Sequence, residues 1–207
     1  MDNGKLIFWN VDTQVDFVEP DGKLYVEGAE KIKPLWQQIT DFAKQKNIRV
    51  VNTADYHYPE SEELSDEPDF VNTFPQHCMA NTPGAEYVTE TQPENAVEFD
   101  WDKDYDTFDA VRSARNILIR KDAFDVFAGN PYTDNILQIL SPETVVVYGV
   151  TTNVCVNDAV VGLSKRVKRV IVLKDAIKEL PNIPLPFEAW EKLGVEMMAF
   201  EDLESVI

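Results

Sequence analysis

Thr144-Val-Val-Val-Tyr-Gly-Val-Thr-Thr-Asn-Val-Cys-Val156 is an apolar run that breaks at Gly149 and then delivers a thiol to the start of a helix-period stretch. A run with almost no polar interruption requires burial on both faces, as in the inner strand of a parallel sheet. Comparable Val- and Ile-rich runs recur at about residues 5–11, 48–54, 116–120, 169–174 and 195–199. Between several of them lie stretches with helical apolar spacing: Ala29 to Lys46, Tyr132 to Leu140, Val156 to Lys165 and Pro186 to Leu193. This alternation predicts an α/β fold, a three-layer sandwich with a central, mostly parallel sheet.

The chain has 207 residues, of which 44% are hydrophobic, enough for one closed core. We expect a single domain over 1–207 with an acidic excursion at about 89–115. Within it, Val97, Phe99 and Trp101 alternate with charges, so Ala96 to Trp101 is expected to pair with Tyr105 to Val111 as an added hairpin. The acidic side chains there read as a solvated face. The formal charge of -18 opposes nucleic acid and anionic membrane surfaces as partners, because each would add like-charge repulsion. No apolar run is long enough to span a membrane, and the N-terminus lacks the order of a signal peptide. Cys78 and Cys155 show no paired spacing and read as free thiols. A cytoplasmic protein acting on a small molecule is the expectation.

Ligands of open parallel sheets bind beyond the carboxyl ends of the strands. Asp12, Asp55, His57, Lys121 and Cys155 all fall at or just past such ends. A helix N-terminus and a nearby ammonium both stabilise a thiolate, so Cys155 with Lys121 suits a nucleophile. Asp12 would take the thiol proton and return it to a leaving amine, and backbone N–H groups of Thr151 and Cys155 would hold an oxyanion. A lone cysteine after a turn is also an ordinary small core residue; the convergence of the other groups is what favours a cysteine hydrolase. The chain has two histidines. In Asp55-Tyr-His57, period two puts a carboxylate and an imidazole on one side of an extended segment, and His77 in Phe74-Pro-Gln-His-Cys78 offers a third ligand for a divalent ion. Surface histidines remain the alternative on spacing alone. Cys78, whose side chain points away from that of His77, reads as a buried structural thiol.

Together these pieces resemble the isochorismatase-like cysteine hydrolases, and within them the nicotinamidases. Asp12-Thr-Gln-Val-Asp-Phe17 is similar to the family's opening Asp-x-Gln-x-Asp-Phe, and Gly149-Val-Thr-Thr-Asn-Val-Cys-Val156 to its Gly-Val-x-Thr-Asp-x-Cys-Val. The resemblance implies a catalytic triad of Asp12, Lys121 and Cys155, and a cis peptide between Val150 and Thr151 that turns a backbone N–H into the oxyanion hole. Asp55-Tyr-His57, Phe74-Pro-Gln-His-Cys78 and Gly84-Ala-Glu86 are similar to the set that marks nicotinamidases. By this likeness Asp55, His57 and His77 bind a metal, zinc or else iron or manganese, while Phe17 and Phe74 sandwich a pyridine ring. A homo-oligomer is also implied.

Two departures stand out. Asn153 replaces the family Asp before the nucleophile, and Glu60 to Asp69 occupies the place of a His-x-x-Ser-Phe, so that Asp66 or Glu67 enters as a candidate fourth ligand. The leading expectation is hydrolysis of nicotinamide, or a similar planar amide, through a Cys155 thioester. The alternatives are a carbamoyl or ureido amide, isochorismate, or a non-catalytic binding subunit on the same scaffold.

Overall fold

The computed structural model describes residues 5–207. Its centre is a seven-stranded parallel sheet built from β1 (Leu6–Val11), β2 (Arg49–Asp55), β3 (Val97–Phe99), β4 (Asn116–Lys121), β5 (Thr144–Val150), β6 (Arg169–Lys178) and β7 (Glu196–Met198). The strand order is β3-β4-β2-β1-β5-β6-β7, and every pair is parallel. The chain runs from β1 to β2, places β3 at the edge and inserts β4 between β3 and β2, then crosses back and builds the other half outward from β5. The reversal of direction beside β1 opens a crevice at the carboxyl ends of the central strands.

Side-chain alternation sends Ile7, Trp9 and Val11 to one face and Phe8 to the other. The first face packs on helices Thr133–Leu140 and Cys155–Ser164 through Ile136, Leu140, Val160 and Leu163. The second packs on helix Lys33–Gln45 through Trp36, Ile39 and Ala43, the Trp36 indole N–H donating to the Ala176 carbonyl at 3.0 Å. The result is the expected three-layer sandwich. Pro34 lies at the start of its helix, where a missing N–H costs least, and Ser141 ends its helix in the left-handed region just before Pro142. Among the described residues no helix is long and apolar enough to cross a membrane.

One expected element is corrected. Val97–Phe99 does not form a hairpin with Tyr105 to Val111; it joins the main sheet as its edge strand, parallel to β4. Phe99 belongs to the sheet core and stacks on Phe108, so it needs a place on the central sheet rather than on a surface ribbon. The Tyr105 hydroxyl instead turns inward and accepts the Asp100 N–H at 2.8 Å, and Asp109–Arg112 is a short 3-10 turn. Asp104, Asp106 and Asp109 face solvent as expected, whereas Asp100 is buried and accepts from the Arg120 guanidinium at 2.7 Å.

Gly149 shows why the quoted segment is punctuated where it is. Its φ is +122°, and a Cβ there would lie 2.0 Å from the Val11 carbonyl oxygen. The β1–β5 contact at the crevice therefore closes only around a hydrogen. Gly149→Ala is expected to lower unfolding free energy by about 3 kcal/mol or more, read as a shift in the urea midpoint.

Candidate active site

Four neighbouring strands, in the order β4, β2, β1 and β5, bring Lys121, Asp55, Asp12 and the Cys155 segment to one rim. Asp55 and Lys121 are in register across β2 and β4. Asp12 leaves β1 with φ 47°, a left-handed turn that an aspartate tolerates better than most residues. All four side chains are buried. Lys121 Nζ stands 3.0 Å from Asp12 Oδ2 and 3.7 Å from Cys155 Sγ, and also donates to Asp55 Oδ1. Asp12 Oδ1 accepts the Thr53 hydroxyl at 2.5 Å.

The electrostatics separate these groups. Burial works against charge on Lys121, but Asp12, Asp55 and Cys155 hold its pKa well above the ordinary lysine value. One ammonium faces two carboxylates, and they are not equal. Burial raises the pKa of Asp12 despite Lys121, whereas Asp55, although buried, is held well below the usual range by Lys121, His57 and His77. Burial also drives the Cys155 thiol well up against the pull of Lys121. The protonated thiol and the proton-affine Asp12 are therefore neighbours beside a fixed cation.

Val150–Thr151 is a cis peptide, as expected. The backbone N–H groups of Thr151 and Cys155 have no acceptor among the described residues, and the Thr151 hydroxyl is buried without a partner. Both residues line a narrow cleft with Phe17, Phe74 and His77. The Phe17 ring lies 5.2 Å from that of His77, and Phe74 packs edge-on against Phe124 at 5.4 Å.

On the other side of Asp55, His57 Nδ1 meets Asp122 Oδ1 at 2.8 Å, and His77 Nδ1 donates to the Pro75 carbonyl at 2.7 Å. Each ring thus turns its Nε2 towards Asp55 Oδ2, at 3.9 Å for His57 and 3.6 Å for His77. Asp55 Oδ2 and His57 Nε2 are buried with no hydrogen-bond partner. Two imidazoles fixed through Nδ1 and one carboxylate oxygen, all within 4.8 Å of one another, fit a divalent ion with nitrogen and oxygen ligands. Burial there is outweighed by Asp122 and Asp55, and the His57 pKa is pushed up to about 9.

Several contributors were not anticipated. Asp66 and Glu67 are exposed; the carboxylate that turns inward from that loop is Glu63, whose Oε1 accepts the Phe124 N–H at 2.8 Å and whose pKa burial pushes up to about 7. Gln14, fully buried, clasps Asp55 from both sides, donating to its carbonyl and accepting its N–H, each at 2.8 Å. Asp16 accepts the Cys78 N–H at 2.7 Å and so anchors the segment that carries His77. Cys78 is itself fully buried. Asn153 donates to the Leu180 and Ile183 carbonyls at 2.8 and 3.0 Å and accepts the Leu180 N–H at 3.0 Å. A carboxylate lacks those two donors, which is the physical sense of Asn at this position. Asn153→Asp is expected to cost about 1–3 kcal/mol in a urea titration at neutral pH, and Asn153→Gln less if its longer amide keeps one bond.

Comparisons with known proteins agree with this fold. A family model described as the isochorismatase domain matches residues 103–199, a span that contains Lys121 and Cys155. A nicotinamidase/pyrazinamidase of Mycobacterium tuberculosis is 31% identical over 77 residues, which cover 37% of this chain and only 40% of that relative's length. Among solved structures, a pyrazinamidase of Pyrococcus horikoshii in complex with zinc is similar with a TM-score of 0.70 and 26% identity, over 95% of this chain and 99% of that one. An N-carbamoylsarcosine amidase from Thermoplasma acidophilum shares the fold, with a TM-score of 0.72 and 22% identity over 94% of this chain and 96% of its own. The isochorismatase domain matched over residues 103–199, together with a fold shared with the Pyrococcus horikoshii structure over 95% of the chain, supports placing the chain in the isochorismatase-like superfamily.

Proposed function

We propose that the protein hydrolyses nicotinamide, or a similar planar amide, to the acid and ammonia through a thioester on Cys155. The observation that carries this reading is Lys121 Nζ lying 3.0 Å from Asp12 and 3.7 Å from the Cys155 thiol, directly beside the Asp55, His57 and His77 group. Asp12 takes the thiol proton as sulfur attacks the carbonyl carbon, and Lys121 stabilises the thiolate. The N–H groups of Thr151 and Cys155 receive the developing oxyanion. Asp12 then returns the proton to the amide nitrogen, the C–N bond breaks and ammonia leaves. Water, deprotonated by Asp12, attacks the thioester; sulfur leaves and recovers the proton.

Asp55, His57 and His77 would hold a divalent ion, and zinc suits two nitrogens and one oxygen. Bound there, it supplies a Lewis-acid contact for a ring nitrogen or a water molecule. Phe17 and Phe74 would face the substrate ring on either side. The metal group favours nicotinamide over a carbamoyl amide or isochorismate.

Ammonia release from nicotinamide by metal-loaded protein tests the proposal. Cys155→Ala is expected to lose at least about a thousand-fold in kcat, and Asp12→Asn at least about a hundred-fold. Turnover of a carbamoyl amide without nicotinamide would keep the thiol chemistry and reassign the substrate, while unchanged nicotinamide turnover in Cys155→Ala would reject the mechanism. His57→Ala and His77→Ala are each expected to abolish stoichiometric metal in elemental analysis of the purified protein. Full retention of metal by both would move that site elsewhere.

A further inference from the structure

The cleft above Cys155 has two chambers. The inner one, about 10 Å³, is walled by Phe17, Phe74, Thr151 and Cys155. The outer one, about 830 Å³, shares Leu24, Phe74, Phe124, Val154 and Leu180 with it, so the two adjoin. A space of that size is what a small-molecule site provides, and it is larger than a single pyridine ring needs.

No lysine or arginine lines either chamber. The outer wall is mainly apolar, and its charged groups are Asp69 and Asp158. These differ in what they face. Asp69 is exposed and accepts the N–H groups of Val71, Asn72 and Thr73 at 2.7–2.9 Å, which ties its charge to its own loop. Asp158 sits on the first turn of helix Cys155–Ser164, three residues beyond the thiol, and is half-buried. Its carboxylate has one hydrogen bond among the described residues, from the adjacent Asn157 amide at 3.2 Å, and no ion pair there. A carboxylate set in an apolar wall, without a counter-ion, repels anions and attracts cations more strongly than one in open water.

We propose that the outer chamber is a distal subsite for an apolar, uncharged or cationic body attached to the reacting group, and that Asp158 excludes carboxylate-bearing molecules from it. This rests on the Cys155 amide-hydrolase reading. It narrows the substrate class to amides without a carboxylate and gives Asp158 a role in specificity.

The test uses the thiol as a reporter, independent of any amide. Metal-loaded protein is alkylated with neutral iodoacetamide or anionic iodoacetate, and the rate at Cys155 is read by peptide mass spectrometry, which separates it from Cys78. The ratio of neutral to anionic rates is expected to exceed that of a small free thiol in the same buffer. It should fall about five- to ten-fold in Asp158→Asn, the size of one unit charge acting across a cleft, and fall further in Asp158→Lys. The same ratio in wild type and both variants would overturn the subsite while leaving the thiol mechanism to stand on amide turnover. A Cys155 that neither reagent labels, in protein that releases ammonia from an amide, would also overturn it, because the outer chamber would then not lead to the thiol.

Discussion

A buried ammonium is the constraint around which this site is arranged. Lys121 is 1% exposed, and an uncompensated charge at that depth is costly. Asp12 and Asp55 compensate it from two adjacent strands, but two carboxylates exceed one ammonium by a charge. The two are held unequally: burial raises the Asp12 pKa, whereas Lys121, His57 and His77 hold that of Asp55 well below the usual range. That inequality gives the proposed reaction its division of labour: Asp55 faces the histidines as a fixed anion, and Asp12 is placed to exchange a proton with the thiol.

The sheet topology makes this arrangement possible, and a set of buried straps makes it rigid. Lys121, Asp55 and Asp12 come from β4, β2 and β1, so their spacing is fixed by the 4.7–4.9 Å typical of neighbouring strands. Gln14 and Asp16 sit in the same opening motif as Asp12, and each binds backbone of another segment of the site. The motif therefore carries one group placed for chemistry and two that position other parts. Asn153 does the same for the wall formed by residues 180–183.

Much of this was legible in the sequence because buried parallel strands are nearly continuous apolar runs and their ends are marked by the first polar residue. Asp12, Asp55, Lys121 and Cys155 stand at those ends, and the structure brings them together. Val97–Phe99 was misplaced because alternation with Glu98 also describes a surface hairpin, and pattern alone does not choose the partner strand. Glu63 was missed for a different reason. It lies in a run of acidic residues where nothing local distinguishes the one side chain that the Phe124 N–H draws inward from the neighbours that face water. Asp122, next to Lys121, was hidden likewise, since its contact with His57 depends on a distant loop.

The covalent intermediate is the central claim, and partitioning with hydroxylamine tests it most directly. During nicotinamide turnover, a Cys155 thioester predicts that added hydroxylamine diverts product from the acid to the hydroxamate while one ammonia is released per acyl group transferred. Acid as the sole product at every hydroxylamine concentration, with ammonia release undiminished, would contradict a thioester and point to direct attack by water.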